Sequence, residues 1–221
     1  MYPVNLNITG RLCVVIGGGQ VAKRKICGIL AGNGRVRLVG PDAEPTLQIL
    51  ASQRTIEWRR KPYDRDDLAG AFLVFAATGN PEVQATIVRD ARKSSLLVNV
   101  ADDPVACDFH LPATVRRGDL TLTVSTRGRS PAVSAMVRRR LEAEFGEEYG
   151  RLTALMAGLR DQLLAEGGSQ ATRGNLFRAL LHEDMIDWLR TGRRDRIREH
   201  LEQTLGRPVD AALDALIKEA P

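Results

Sequence analysis

Cysteine is scarce in this chain of 221 residues, and its three copies form no familiar pattern. Cys13, Cys27 and Cys107 are odd in number and include no C-x-x-C spacing, which excludes a disulfide framework and a zinc ribbon. Cys13 and Cys27 fall in a strand and a helix of the reading below and are expected to be buried structural thiols. Long apolar runs are missing too. Nothing reaches the roughly 18 residues that a membrane-crossing helix needs. The opening residues, Met1-Tyr2-Pro3-Val4-Asn5, lack the basic and apolar regions of a secretory signal. A cytoplasmic globular protein is expected, with one large domain or a few small ones.

Against these absences stands an excess of positive charge, formally +5 with a pI near 9.4. It favours anionic partners without choosing among nucleic acid, a membrane surface and a polycarboxylate small molecule.

The most informative stretch is Val14-Val15-Ile16-Gly17-Gly18-Gly19-Gln20-Val21-Ala22. An apolar, β-branched run stops at three glycines and a helical pattern begins at once, with Ala22, Ile26, Ile29 and Leu30 at helical spacing. Gly17, Gly19 and Ala22 fit G-x-G-x-x-A, the turn that seats a dinucleotide pyrophosphate at a helix N-terminus. Gly17 permits the tight turn, Gly19 lets the backbone approach the phosphates, and Ala22 lets helix and strand pack closely. Gly32-Asn33-Gly34 ends the helix and Val36 to Val39 forms a second strand, completing the unit that the motif requires within about 30 residues.

Further strands are expected at Thr55 to Arg59, Phe72 to Ala76 and Leu96 to Val100, with helices between them, which implies a parallel sheet covered on both faces. Ligands of such sheets sit at the carboxyl ends of the strands. Gly17 to Gln20, Gly40 to Asp42, Thr78 to Asn80 and Val100 to Pro104 all fall there. Gly17, Gly18, Gly19, Gln20, Val21, Pro41, Asp42 and Thr78 are the candidate cofactor residues. At the end of the second strand Gly40 stands where an acid usually binds the ribose, and Asp42 lies just beyond. Asp42 is either the ribose ligand or the cap of a helix over Ala43 to Ala51. Arg35 and Arg37 can in principle receive a 2′-phosphate, but NAD is ranked above NADP.

After Asp103-Pro104 the pattern changes. Leu120, Leu122 and Val124 alternate with polar residues as a half-exposed strand, and its edge suits pairing with a second subunit. Ser130-Pro131 opens a helix striped by Val133, Met136, Val137 and Leu141. From Glu147 onward the pattern is helical.

Two features can carry chemistry. Asp102 and Asp103 follow a strand at the ligand edge, where one can be a general base or a metal ligand; equally, both can cap turns before Pro104. From Arg116 to Arg140 seven arginines stand against one acid, Asp119, with no aromatic residue for base stacking and no recognition-helix arrangement. A solvated helix face accounts for part of this, and a multiply carboxylated small molecule suits the rest. His110 lies near the Asp102 loop. His182 and His200, read as lying on helices, are expected to be structural or exposed, and the three histidines are too scattered for a metal cluster.

Four motifs in order give the chain a resemblance to the precorrin-2 dehydrogenase / sirohydrochlorin ferrochelatase family, the N-terminal module of siroheme synthase. They are Tyr2-Pro3-Val4 with Gly10 to Lys25, Ala76-Ala77-Thr78, Asn99-Val100-Ala101-Asp102-Asp103-Pro104, and Ser125-Thr126-Arg127-Gly128-Arg129-Ser130-Pro131. The resemblance implies NAD-dependent oxidation of precorrin-2 to sirohydrochlorin, with Asp102 as the central catalytic residue and base. Some members also insert ferrous iron, which would pass transiently near Asp102 with no stable metal site. The substrate carries eight carboxylates, giving Arg116, Arg117, Arg127, Arg129, Ser130 and Arg138 a role in binding it. The implied architecture is an α/β Rossmann domain over 1–112, a small α+β dimerisation domain over 113–147 and an all-helical domain over 148–221. The implied state is a homodimer with no nucleic-acid or membrane partner. No methyltransferase region follows, so the preceding methylations are expected from another protein. The competing reading is a dinucleotide-sensing or nucleic-acid-binding regulator. Cys107 to His110 departs from the family's usual pattern.

Overall fold

A computed structural model describes residues 1–167 and 169–218, and the chain divides into two compact units, 1–111 and 112–221. In the first unit, β1 (Leu12–Ile16), β2 (Arg35–Val39), β3 (Glu57–Arg59), β4 (Leu73–Ala76) and β5 (Leu97–Val100) form one parallel sheet in the order β3-β2-β1-β4-β5. The order reverses between β1 and β4, where open α/β sheets place their ligands.

Residues alternate across this sheet, and both faces are covered. Cys13, Val15, Leu38, Leu73 and Phe75 pack with Ala22, Ile26 and Ile29 of α1 (Gln20–Ala31) and Leu47 of α2 (Pro45–Ser52). Val14, Val39, Val74, Ala76 and Val98 pack with Ile87 and Ala91 of α3 (Pro81–Lys93) and with Leu68 at the end of a 3-10 turn (Arg65–Leu68). A fully buried Ile26 or Ile87 contributes about 1.5–3 kcal/mol. Cys13 is buried as expected, and burial pushes its thiol up to about 11. Cys27 is not buried. It lies on the outward side of α1, one position beyond the buried Ile26 and so off the apolar stripe.

The free edge of β5 is covered by side chains of the segment that follows it. Asp108 accepts from Val98 N at 2.9 Å and returns its own N–H to Val98 O. Cys107 Sγ accepts from Val100 N at 3.1 Å and lies 3.3 Å from Val100 O. An edge that would otherwise offer a template for pairing is thereby satisfied within the chain.

In the second unit, β6 (Ala113–Arg117) and β7 (Leu120–Val124) form an antiparallel hairpin, with α4 (Pro131–Glu144) and α5 (Glu147–Ala165) packed on it. Gly150 of α5 meets the hairpin turn so closely that a Cβ there would lie 2.8 Å from the Arg117 carbonyl carbon. Leu155, Leu159 and Leu163 continue α5 into a core with Leu180 of α6 (Gln170–Leu180), Met185 and Leu189 of α7 (Met185–Arg190), Ile197 and Leu201 of α8 (Arg194–Leu205) and Ile217 of α9 (Ala211–Lys218). His182 sits in the turn before α7 and not on a helix. Its ring stacks on Trp188 and lies 5.0 Å from that of His200, so two histidines that are distant in sequence share one wall.

Candidate active site

The site begins with the three glycines, each serving a different need. Gly17 has φ +107°, and a Cβ there would lie 2.3 Å from Ala77 O; Gly17 N donates to Val39 O. At Gly18 a Cβ would lie 2.1 Å from Asp42 O, so this glycine lets the β2 loop close against the turn. That requirement was invisible to a motif that leaves its middle position open. Gly19 meets nothing within 4 Å and caps α1 without any side-chain hydrogen bond or first-turn acid. The N-terminal amides of α1, at Gln20 and Val21, are thus left for an anion, whereas α3 has its first amides taken by Asn80 Oδ1. An open Gly19 beside an uncapped helix end fits a dinucleotide pyrophosphate.

At the end of β2, Gly40 O accepts from Trp58 Nε1 and Pro41 O accepts from Arg60 Nε at 3.1 Å. Of the two readings of Asp42, the helix cap fails. That helix starts at Pro45, and Glu44 accepts from Thr46 N at 3.0 Å. The hydrogen bond from Lys23 holds the Glu44 carboxyl below its usual range, against a smaller opposing effect of burial, with Thr46 assisting. Asp42 is therefore free of capping. Its carboxylate is 90 % exposed and lies 3.7 Å from Arg60 Nη2.

Arg35 and Arg37 are misplaced for a 2′-phosphate. Arg35 begins β2, at the opposite end of the strand from the ligand edge, and Arg37 is taken by Glu57 Oε2 and the carbonyls of Asp67 and Ala69. Arg60, which the sequence reading did not single out, is the guanidinium at the correct edge, its Cζ 5.4 Å from the centre of the Trp58 ring. Thr78 follows β4 next to Gly17, and its Oγ1 accepts from Asn80 N at 3.3 Å.

The acidic pair after β5 divides its labour. Asp103 Oδ1 accepts from Val105 N and Ala106 N and so holds the turn around Pro104. Asp102 is exposed, and its carboxylate makes no hydrogen bond or ion pair among the described residues. Its backbone stands at φ +63°, a conformation that costs most residues about 1–2 kcal/mol. Asn99, 6 % exposed, precedes it and donates to Phe109 O at 2.9 Å. His110 folds back toward the loop, with Nε2 3.3 Å from Pro104 O. No group of three or more His, Cys, Asp or Glu suited to a metal ion occurs among the described residues.

In the second unit the Ser125 to Pro131 loop is closed by reciprocal bonds between Thr126 Oγ1 and the Ser130 backbone, with Arg127 and Gly128 both at positive φ. Ser130 Oγ accepts from Val133 N as the cap of α4. Arg116, Arg127 and Arg129 are exposed. Arg117 is engaged with Phe145 O, Glu142 O and Arg116 O, and Arg138 pairs with Glu142.

The first unit is thus a Rossmann-type dinucleotide-binding domain with an unengaged carboxylate on a loop at its ligand edge. Comparison with known proteins agrees. Residues 4–113 match the family described as "Putative NAD(P)-binding", and residues 117–144 match "Sirohaem biosynthesis protein central". The chain is 32% identical over 209 residues to the siroheme synthase of Thioalkalivibrio sulfidiphilus, covering 95% of this chain and 43% of that protein. It is 31% identical over 184 residues to siroheme synthase 1 of Aeromonas salmonicida, covering 83% of this chain and 39% of that protein. The chain thus spans about two fifths of these relatives' length. The solved structure of SirC, a precorrin-2 dehydrogenase, superposes with a TM-score of 0.80 at 26% identity over 93% of this chain and 100% of that one. The chain thus carries an NAD(P)-binding domain followed by the central domain of sirohaem biosynthesis proteins, and it is homologous to part of the siroheme synthases and similar throughout to a precorrin-2 dehydrogenase.

Proposed function

We propose that this chain oxidises precorrin-2 to sirohydrochlorin, with NAD as acceptor and Asp102 as general base, as a cytoplasmic homodimer. One observation carries the reading: Asp102, strained and unengaged, stands at the same sheet edge as the glycine turn and its uncapped helix. Gly17, Gly18, Gly19 and the amides of Gln20 and Val21 would hold the pyrophosphate. Pro41 and Asp42 would hold the adenosine ribose, and Thr78 would line the turn. When bound, the dinucleotide supplies a two-electron acceptor. What the chain itself must do is orient the macrocycle and take the proton released as conjugation extends. A carboxylate held at a fixed place on a loop is suited to that transfer. Asp42 favours NAD because a 2′-phosphate would meet its exposed carboxylate.

The seven arginines from Arg116 to Arg140 supply the charge that a polycarboxylate requires, and the exposed Arg116, Arg127 and Arg129 supply planar donors that the chain does not itself engage as it does those of Arg117 and Arg138. Pairing of two copies is supported by the half-buried hairpin and by Val133 and Met136, which stay exposed on α4. No helix among the described residues is long and apolar enough to cross a membrane.

The test is growth of NADH absorbance on adding precorrin-2. Asp102→Ala should keep NAD binding and lose turnover by about 100-fold or more; sirohydrochlorin formation at the wild-type rate would refute the role. Anaerobic incubation of sirohydrochlorin with ferrous iron decides whether iron insertion belongs to the same chain. An unaccelerated rate assigns dehydrogenation alone.

A further inference from the structure

A groove of about 800 Å³ opens between α3 and the segment that follows β5, a volume in the range of small-molecule sites. Ala85 and Val88 of α3, Val100 at the end of β5 and Ala106 give it an apolar lining. Arg89, Arg92 and Lys93 give it positive charge. Asp103, the neighbour of Asp102, stands in the wall across from α3. The helical repeat explains the combination. Positions 85, 88, 89, 92 and 93 recur at i, i+3, i+4, i+7 and i+8, so one face of α3 carries both the apolar residues and the cations.

The three cations are not equally engaged. Arg92 serves the fold: its Nη2 donates to Ala106 O at 3.2 Å and lies 3.9 Å from Asp108, tying α3 to the segment after β5. Arg89 has a 60 % exposed side chain, held by a 3.4 Å bond from Nη2 to Thr86 Oγ1 and by Asp90 at 3.9 Å from Nε. Lys93 makes no hydrogen bond or ion pair among the described residues. The acid in the lining does not answer them, because Asp103 Oδ1 accepts from Val105 N and Ala106 N. The helix dipole accounts for Arg92 and Lys93 in the last turn of α3 but not for Arg89, which precedes that turn. Arg89 and Lys93 stand four residues apart, a like-charged spacing that disfavours the helix slightly and that an incoming anion relieves. A planar guanidinium beside a point charge suits a carboxylate.

We propose that this groove holds an edge of the polycarboxylate macrocycle, with Arg89 and Lys93 binding one carboxylate and the apolar lining meeting the ring. The inference rests on the dehydrogenase reading for the identity of the ligand and adds a second set of cations, on the first unit. Eight carboxylates are more than the exposed Arg116, Arg127 and Arg129 can serve one for one. The place of the groove, against the segment that carries Asp102, favours the molecule being oxidised over a docking peptide.

Sirohydrochlorin is the probe, titrated anaerobically against the protein and followed by its absorbance. Arg89→Gln with Lys93→Gln should weaken its binding about tenfold, as charge-assisted bonds are lost. Ala85→Trp fills the apolar part without changing the charge and should weaken binding to a similar degree. Arg35→Gln with Arg65→Gln removes two charges elsewhere on the same unit and should bind like wild type. NAD affinity should stay within about twofold throughout, because the glycine turn is untouched. In turnover, the Arg89 and Lys93 double variant should raise the KM for precorrin-2 about tenfold and keep kcat, the mark of binding lost equally from ground and transition states. Wild-type sirohydrochlorin affinity in the folded double variant overturns the proposal, and so does equal weakening in the charge-matched control. A polyglutamate peptide that binds wild type and is lost in the double variant, with sirohydrochlorin affinity unchanged, makes the groove a protein-docking surface instead. Lost sirohydrochlorin binding in the groove variants of a protein that never oxidises precorrin-2 overturns the dehydrogenase reading and leaves the groove standing.

Discussion

The carbonyl oxygen of Asp42 stands 2.1 Å from the place a Cβ on Gly18 would occupy. The two loops that would hold pyrophosphate and ribose are therefore locked together through one missing side chain. Gly17→Ala and Gly18→Ala must each move backbone and should lower both melting temperature and NAD affinity. Gly19→Ala is different, because a Cβ there meets no protein atom and its φ of −84° is ordinary. It should melt like wild type yet bind NAD about tenfold more weakly, since the methyl enters the space before the α1 amides. Calorimetric titration beside a melting curve separates the two behaviours. Wild-type affinity in Gly19→Ala would place the pyrophosphate elsewhere.

Asp42 and Arg60 set up a second contrast. The Arg60 guanidinium is fixed by Pro41 O and the Trp58 ring and partly offset by Asp42 at 3.7 Å. Asp42→Asn should raise the KM for NAD about tenfold, consistent with losing one charged hydrogen bond to the ribose. It should also improve kcat/KM for NADP severalfold, because Arg60 then faces a 2′-phosphate without a competing carboxylate. Adding Arg60→Ala should erase the gain. A double variant that keeps its NADP activity would remove Arg60 from this role.

Stability of the first unit should depend on acid through Asp67. Its side chain is fully buried and accepts from Lys61 Nζ at 2.8 Å, Arg59 Nη1 at 2.9 Å and Asp64 N at 2.9 Å. Burial alone would raise its pKa, but the bonds from Lys61, Arg59 and Asp64 outweigh it and hold the carboxyl below its ordinary value. A depressed folded-state pKa contributes stability above the unfolded value near 4, and that stability is lost as pH falls through the folded value. Asp67→Asn should cost about 2–3 kcal/mol at pH 7, toward the low end for a broken buried pair because both cations reach solvent. It should also flatten the decline of melting temperature below about pH 4. Equal slopes for variant and wild type would show that another group controls the acid limb.

Much of the Rossmann unit was legible because its signals are local. A glycine turn follows an apolar run, a helix stripe follows the turn, and strands recur at close intervals. The acid at Asp102 was legible for the same reason, as two carboxylates next to a proline at a strand end. What escaped depends on distant chain. The cap of α2 is the exception: Pro45 at the first helical position marked Glu44 locally, and the N–H of Glu44 is tied to Gly18 O. Arg37 looked available until Asp67 and Ala69, some thirty residues on, supplied carbonyls. Arg60 gained its position only when β3 was laid beside β2. Gly150, in the middle of a helix, made sense only once the hairpin turn was packed on it.

The left-handed backbone of Asp102 yields a final separation of folding from chemistry. Aspartate tolerates φ +63° better than most residues, yet the conformation still costs free energy that glycine does not incur. Asp102→Gly relieves that strain while adding freedom to the unfolded chain, so its stability should fall within about 1 kcal/mol of wild type. Asp102→Val places a β-branched side chain in the same geometry and should destabilise by more than about 1 kcal/mol. Both should lose turnover alike, because neither can take a proton. Denaturant melts and NADH assays on the pair distinguish the causes. If activity followed stability, with Gly active and Val inactive, Asp102 would be a loop-shaping residue and the proton would have to leave by another route.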